Sequence, residues 1–199
     1  MEKFLTAEER KLLLKAAREA IEAGLAGNRP ARGGGQGGLA ERHGAFVTLT
    51  RGGRLRGCIG FVFADRPLLD TVREAAQAAA FHDPRFPPLR ASELPEIRLE
   101  LSVLSEPRAV SSPEEIQVGQ HGLIVRRGPR SGLLLPQVAT EYGWDRDTFL
   151  SHTCLKAGLP EASWREPGTE IEIFGAEVFG DAGTGDAGTG NAGIGVGHS

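Results

Sequence analysis

Apolar positions along this chain recur at two spacings, one helical and one extended. Leu12, Leu13, Ala16, Ala17, Ala20 and Ile21 gather on one side of a helix, and Thr6 with Glu9 three residues later forms a capping box at its start. Gly24 marks its end. Leu68, Leu69, Val72, Ala75, Ala76 and Ala79 make a second stripe, with Asp65 expected as its cap, Pro67 in its first turn and Asp83-Pro84-Arg85-Phe86-Pro87-Pro88 stopping it. A further helix carries Phe149, Leu150, Thr153, Cys154 and Ala157 between an Asp145 cap and the terminators Gly158 and Pro160. Ser112-Pro113-Glu114-Glu115 joins a capping box to a proline at the first helical position and predicts a short helix to Val118.

The extended spacing is clearest where Ile97, Leu99, Leu101 and Val103 alternate with Arg98, Glu100 and Ser102, the period of a half-buried strand. Residues 45–50 and 54–63 flank Arg51-Gly52-Gly53 and predict a hairpin. A second hairpin-like pair, 123–127 and 133–135, surrounds Gly128-Pro129-Arg130-Ser131-Gly132, with Pro136 closing its outer arm. One last strand is expected over 171–179. Residues 28–38, rich in Gly, Pro and Arg, read as a flexible connection. Strands joined by hairpins and interspersed with helices predict an α+β domain, a largely antiparallel sheet with flanking helices. Beyond Phe179 the Asp-Ala-Gly-Thr-Gly unit at 181–185 repeats at 186–190 almost without apolar side chains. The expected division is therefore a domain over 1–179 and a disordered Gly-rich tail over 180–199.

Composition narrows this picture. With 199 residues, 40% apolar and 25% charged, the chain suits one domain or two small lobes sharing a core. A net charge of -3 gives no global case for nucleic acid, although Arg126, Arg127 and Arg130 make one hairpin locally basic. No apolar run approaches the roughly 18 residues that span a bilayer, and a reducing cytoplasmic setting is expected. Two cysteines far apart and scattered histidines offer no metal-ligand spacing, so no metal and no cofactor are assigned. Two Gly-x-Gly-x-x-Gly matches, starting at Gly33 and Gly183, neither follow a strand nor open a helix and are compositional.

Candidate chemistry concentrates in Leu55-Arg56-Gly57-Cys58-Ile59-Gly60. Glycine is poorly suited to strands, so Gly57 and Gly60 mark a bulge or a close approach to the backbone by another strand or a ligand. A period of two puts Arg56, Cys58 and Gly60 on one face. A guanidinium roughly 7 Å from the sulfur, at an effective dielectric of about 20, favours the thiolate by about 2 kcal/mol. That leaves Cys58 between two readings: a buried strand residue, or a nucleophile that needs a further base. Cys154, on the apolar side of its helix, reads as core. Asp83 and Arg85 form either an anion site or a self-satisfied pair holding a loop. Gln137 at a strand end is either a site residue or the start of a helix.

These segments resemble, in order, the AMMECR-type domain family, known in prokaryotes as protein A of the AmmeMemoRadiSam system. The matching pieces are Phe46-Val47-Thr48-Leu49, Leu55-Arg56-Gly57-Cys58-Ile59-Gly60, Asp83-Pro84-Arg85-Phe86, Leu104-Ser105, Gly122-Leu123, Gly132-Leu133-Leu134-Leu135-Pro136-Gln137 and Cys154-Leu155-Lys156-Ala157-Gly158. The resemblance implies larger and smaller lobes from a repeated strand and helix unit, and association with a Memo-like protein and a radical S-adenosylmethionine enzyme on other chains. It implies no reaction, and whether the protein is an enzyme stays open. One expectation is an accessory or substrate-handling component, with Arg56, Cys58, Asp83, Arg85 and Gln137 lining a cleft between lobes. The other is a non-enzymatic module in which Gly57 and Gly60 admit a partner or small ligand to the backbone. A thiol-dependent enzyme and a nucleic-acid-binding protein are the remaining alternatives.

Overall fold

The capping box at Thr6 forms in full. The Thr6 hydroxyl accepts the Glu9 N–H, the Glu9 carboxylate accepts the Thr6 N–H at 2.8 Å, and α1 (Ala7–Leu25) follows. A computed structural model describes residues 4–181. Expectations for 182–199 lie outside the described residues. Helix α1 buries Leu13, Ala16, Ala17, Ala20 and Ile21, the predicted stripe less exposed Leu12. After it, residues 28–38 are tethered rather than free: Asp70 accepts the Gly33 N–H, Arg73 donates to the Gly33 carbonyl, and Glu9 accepts the Gly38 N–H.

The described chain divides into two units, a larger one of residues 4–104 and 177–181 and a smaller one, Ser105–Ala176. In the larger, β1 (Ala45–Arg51) and β2 (Arg54–Phe61) form the predicted hairpin. Gly52 and Gly53 both take positive φ, as the two-residue turn that matches strand twist demands. Helix α2 (Leu68–Phe81) then leads to β3 (Ile97–Leu104), and the sheet order is β2-β1-β3-β8 with β8 at Ala176–Gly180. Val47, Leu49, Leu99 and Leu101 join α1 and α2 in one apolar cluster. Asp65 does not cap α2. It pairs with Arg66, and the Leu68 N–H donates to the Glu41 carbonyl instead, so a distant backbone group satisfies the helix start.

The smaller unit holds β4 (Arg108–Ala109), β5 (Gly122–Arg127), β6 (Arg130–Leu134), α3 (Pro136–Glu141), α4 (Arg146–Lys156) and β7 (Glu170–Phe174), with sheet order β4-β7-β5-β6. The helix predicted from Ser112 is a single turn, Pro113–Glu115. Glu115 bonds the Ser111 N–H and Arg108 rather than closing the box on Ser112. Asp145 caps α4 as expected, accepting the Thr148 N–H at 2.8 Å. The expected last strand is two strands: Gly175, donating to Ser105 Oγ at 2.8 Å, separates β7 in one sheet from β8 in the other. The described fold continues past Phe179, since Asp181 accepts from the Leu99 N–H and from Arg18.

The two sheets repeat one plan. Each has a hairpin, then helix, then a strand that returns beside the hairpin's first arm. The fourth strand of each sheet comes from the chain leaving the other unit, β8 after β7 and β4 after β3.

Candidate functional site around Cys58

Strand β2 is an edge strand, and its register explains where Cys58 sits. Arg51 pairs with Arg54 across the turn, but Thr50 faces Leu55 while Leu49 faces Gly57, so Arg56 is the extra residue of a β-bulge. Beyond the bulge, Val47 with Ile59 and Leu49 with Gly57 bond across the hairpin, and Cys58, opposite Thr48, turns its N–H and C=O outward. Both outward groups are taken. The Asp83 carboxylate accepts the Cys58 N–H at 2.9 Å, and Arg85 Nη2 donates to the Cys58 carbonyl at 3.2 Å. Arg85 also donates to Asp83 from Nε at 2.9 Å and Nη2 at 2.7 Å. Asp83-Pro84-Arg85-Phe86 therefore closes the edge of the sheet with side chains.

Asp83 is well suited to that clamp. Its side chain is 1% exposed, against 27% for Arg85. The Arg85 guanidinium, outweighing burial and helped by the Cys58 and Arg85 N–H groups, holds its carboxyl at a pKa of about 2.

The Cys58 thiol is moved the opposite way. The residue is 7% exposed, and burial pushes the thiol up from its ordinary value. A hydrogen bond from Thr48 Oγ1 at 3.3 Å and the charge of Arg85 pull down, while Asp83 and Glu100 push up. Cys58 is a neutral thiol at neutral pH.

Arg56 is not its partner, which corrects the juxtaposition expected from strand periodicity. The bulge breaks the period of two at Arg56, and its guanidinium forks onto Glu93 at 2.9 and 3.1 Å. That pair holds the turn at Ala91–Glu96 to the hairpin, with Arg51 joining at 3.2 Å. Glu93 is lowered to about 2, chiefly by Arg56 and then by the Arg90 N–H. The Phe86 ring lies 6.0 Å from the Arg56 guanidinium carbon and 5.6 Å from that of Arg85.

The close approach predicted for the two glycines is real, and this chain makes it. A Cβ on Gly57 would collide with the Ala79 carbonyl of α2, and one on Gly60 with the Phe46 ring and the Ala45 carbonyl, all inside 3.0 Å. Helix backbone lies on the strand at the first, and an aromatic ring covers the second. Gln137 lies in the smaller unit as the second residue of α3, behind Pro136 at the helix start. The structure thus brings together Cys58, Asp83 and Arg85, with Gly57, Gly60 and Arg56 on the same strand.

Three participants were not singled out from sequence: Thr48, Glu100 and Glu93. Thr48 pairs with both Cys58 and Glu100, which makes one row across β2, β1 and β3. The alternation of Arg98, Glu100 and Ser102 against apolar neighbours carried the signal for Glu100, as did Thr48 between Val47 and Leu49. Glu93 gave none.

Elsewhere, Cys154 is fully buried against Val125 and Leu159, and burial raises its thiol. Two of the three arginines of the basic hairpin are ion-paired, Arg126 with Glu172 and Arg127 with Glu166, while Arg130 donates to the Gly158 carbonyl and keeps its charge. Among the described residues no group of three or more His, Cys, Asp or Glu could hold a metal ion, and no helix is long and apolar enough to cross a membrane.

The architecture defines an α+β protein of two four-stranded sheets with one repeated plan. The AMMECR1 family model matches residues 14–179, and the chain belongs to that family. It is 50% identical over 183 residues to protein MK0488 of Methanopyrus kandleri, covering 87% of this chain and 88% of that one. A protein of Methanothermobacter thermautotrophicus is 48% identical over 181 residues, covering 87% and 94%. The crystal structure of the uncharacterized protein PH0010 from Pyrococcus horikoshii superposes with a TM-score of 0.73 at 42% identity, covering 85% of this chain and 90% of that one.

Proposed function

We propose that this AMMECR1-family protein is a non-enzymatic, substrate-handling component of the AmmeMemoRadiSam system. It works in the cytoplasm beside a Memo-like protein and a radical S-adenosylmethionine enzyme carried on other chains. The observation that supports a binding role over a catalytic one is the state of Cys58: a buried neutral thiol, hydrogen-bonded by Thr48, on a strand whose outward backbone groups are held by Asp83 and Arg85. A nucleophilic thiol needs the opposite environment, exposed and electropositive enough to ionise near neutrality.

Alkylation by iodoacetamide across pH 6 to 10, followed by mass spectrometry at Cys58, tests the reading. Cys58 in the folded protein should react at least about tenfold more slowly than a free thiol at pH 7. Capture of the native partners should survive Cys58→Ser. Rapid alkylation at pH 7, or loss of partner capture by a folded Cys58→Ser protein, overturns the binding role.

A further inference from the structure

The repeated plan exposes an asymmetry at the sheet edges. Strand β6 occupies in the smaller sheet the outer hairpin position that β2 occupies in the larger. Gly132 in β6 corresponds to Gly57: an added Cβ would collide with the backbone of α4 at Thr153, Lys156 and Ala157. The next residue, Leu133, corresponds to Cys58. Register confirms the match, because Arg127 pairs with Arg130 across a two-residue turn and the pairing runs without a bulge to Leu123 with Leu134. Alternation from that closing pair turns the N–H and C=O of Ser131 and Leu133 away from β5.

On β2 this outward edge is blocked twice, by the bulge at Arg56 and by the Asp83–Arg85 clamp. Strand β6 has neither device, and among the described residues no side chain or backbone group bonds the outward amides of Ser131 and Leu133. Arg130 and Ser131 are exposed. An unblocked edge is a template for a further strand. Its flanks are positive. The side chain of Arg130, first in β6, donates to the Gly158 carbonyl, and among the described residues neither Arg130 nor Lys156, exposed and set over Gly132 by α4, joins an ion pair.

We propose that β6 is a docking edge for an extended acidic segment of another protein, which adds to the sheet as a fifth strand through the backbone of Ser131 and Leu133 and places carboxylates against Arg130 and Lys156. This edge belongs to a different sheet from Cys58 and uses none of its contacts, so its failure leaves the proposed role of Cys58 untouched.

Amide exchange on the full-length ¹⁵N-labelled protein tests the edge directly. In the free protein the Ser131 and Leu133 amides should exchange rapidly while the clamped Cys58 amide is protected. An acetylated and amidated decapeptide alternating Glu with Val should slow exchange at Ser131 and Leu133 by about tenfold or more, and its Lys-for-Glu counterpart should not. Leu133→Pro, which removes an outward N–H but no ladder bond, should abolish peptide binding. Arg130→Glu, at an exposed site that leaves the fold intact, should weaken binding about tenfold and shift preference toward the Lys peptide. No effect of the acidic peptide at millimolar concentration overturns the proposal, as does equal binding by the Lys peptide. Protection of Ser131 and Leu133 in the free protein also overturns it; if that protection is lost on dilution, the occupant is a second copy of this chain.

Discussion

In both units a two-residue turn folds a pair of strands together, a helix lies across a glycine of the outer strand, and a third strand returns beside the inner one. The hairpin β1–β2 is then finished with charge: Arg56 swings onto Glu93, and Asp83 with Arg85 seals the backbone of Cys58. The hairpin β5–β6 keeps a regular register and leaves the equivalent backbone of Leu133 unsealed. A shared scaffold, set by where a helix can rest on a strand, thus tolerates two different edges. The chemistry that distinguishes them comes from the bulge at Arg56 in β2 and from the segment after α2 that supplies Asp83, Arg85 and Glu93.

The largest expected effect tests the shared part. Gly57→Val and Gly132→Val each drive a side chain into helix backbone, which cannot move without lifting α2 or α4 off its sheet. Each should cost more than about 3 kcal/mol in urea unfolding. If one site accepts valine at less than about 1 kcal/mol, the two glycines do not play one role and the comparison fails.

Next comes the part that differs. Asp83→Asn should cost about 2 kcal/mol at pH 7, because the folded-state pKa near 2 lies below the unfolded value of 3.8. The sign follows from that order: this stabilisation is complete above the unfolded pKa and is lost as pH falls through about 2. Unfolding curves between pH 5 and pH 2 should therefore be flatter for Asp83→Asn than for the unmodified protein. Glu93, also near 2, keeps a residual slope in both. An unchanged slope would remove Asp83 as the source of the clamp's strength.

The smallest effect concerns the ring over Gly60. Phe46→Ala uncovers that glycine and removes a cross-strand contact, for an expected loss of about 1 kcal/mol by thermal or urea unfolding. Phe46→Leu should recover part of it.

Much of the fold was legible because its signals act over a few residues. Thr6 with Glu9, Asp145 with Thr148, the stripe from Leu13 to Ile21 and the alternation from Ile97 to Val103 all specify structure within one or two turns of chain. Local signals failed where a distant group won. Asp65 lost the α2 start to the Glu41 carbonyl, and Gly175 divided what reads as one strand because Ser105 bonds it there; at Ser112 the competition was local, and Glu115 went to Ser111 and Arg108 instead. At the candidate site, the sequence singled out a strand and a loop that folding brings into contact. It paired the wrong arginine with the thiol, since a bulge is invisible to a period of two.

The sequence by itself determined the long helices and the two hairpins, the turn at Gly52-Gly53, the family and the presence of something close against Gly57 and Gly60. Tertiary structure decided what that something is, the Ala79 carbonyl and the Phe46 ring, and it decided the protonation of Cys58 and the partner of Asp83. The physical reason is range: caps and periodicity act along a few residues of chain, whereas desolvation and charge pairing depend on groups that only folding brings together.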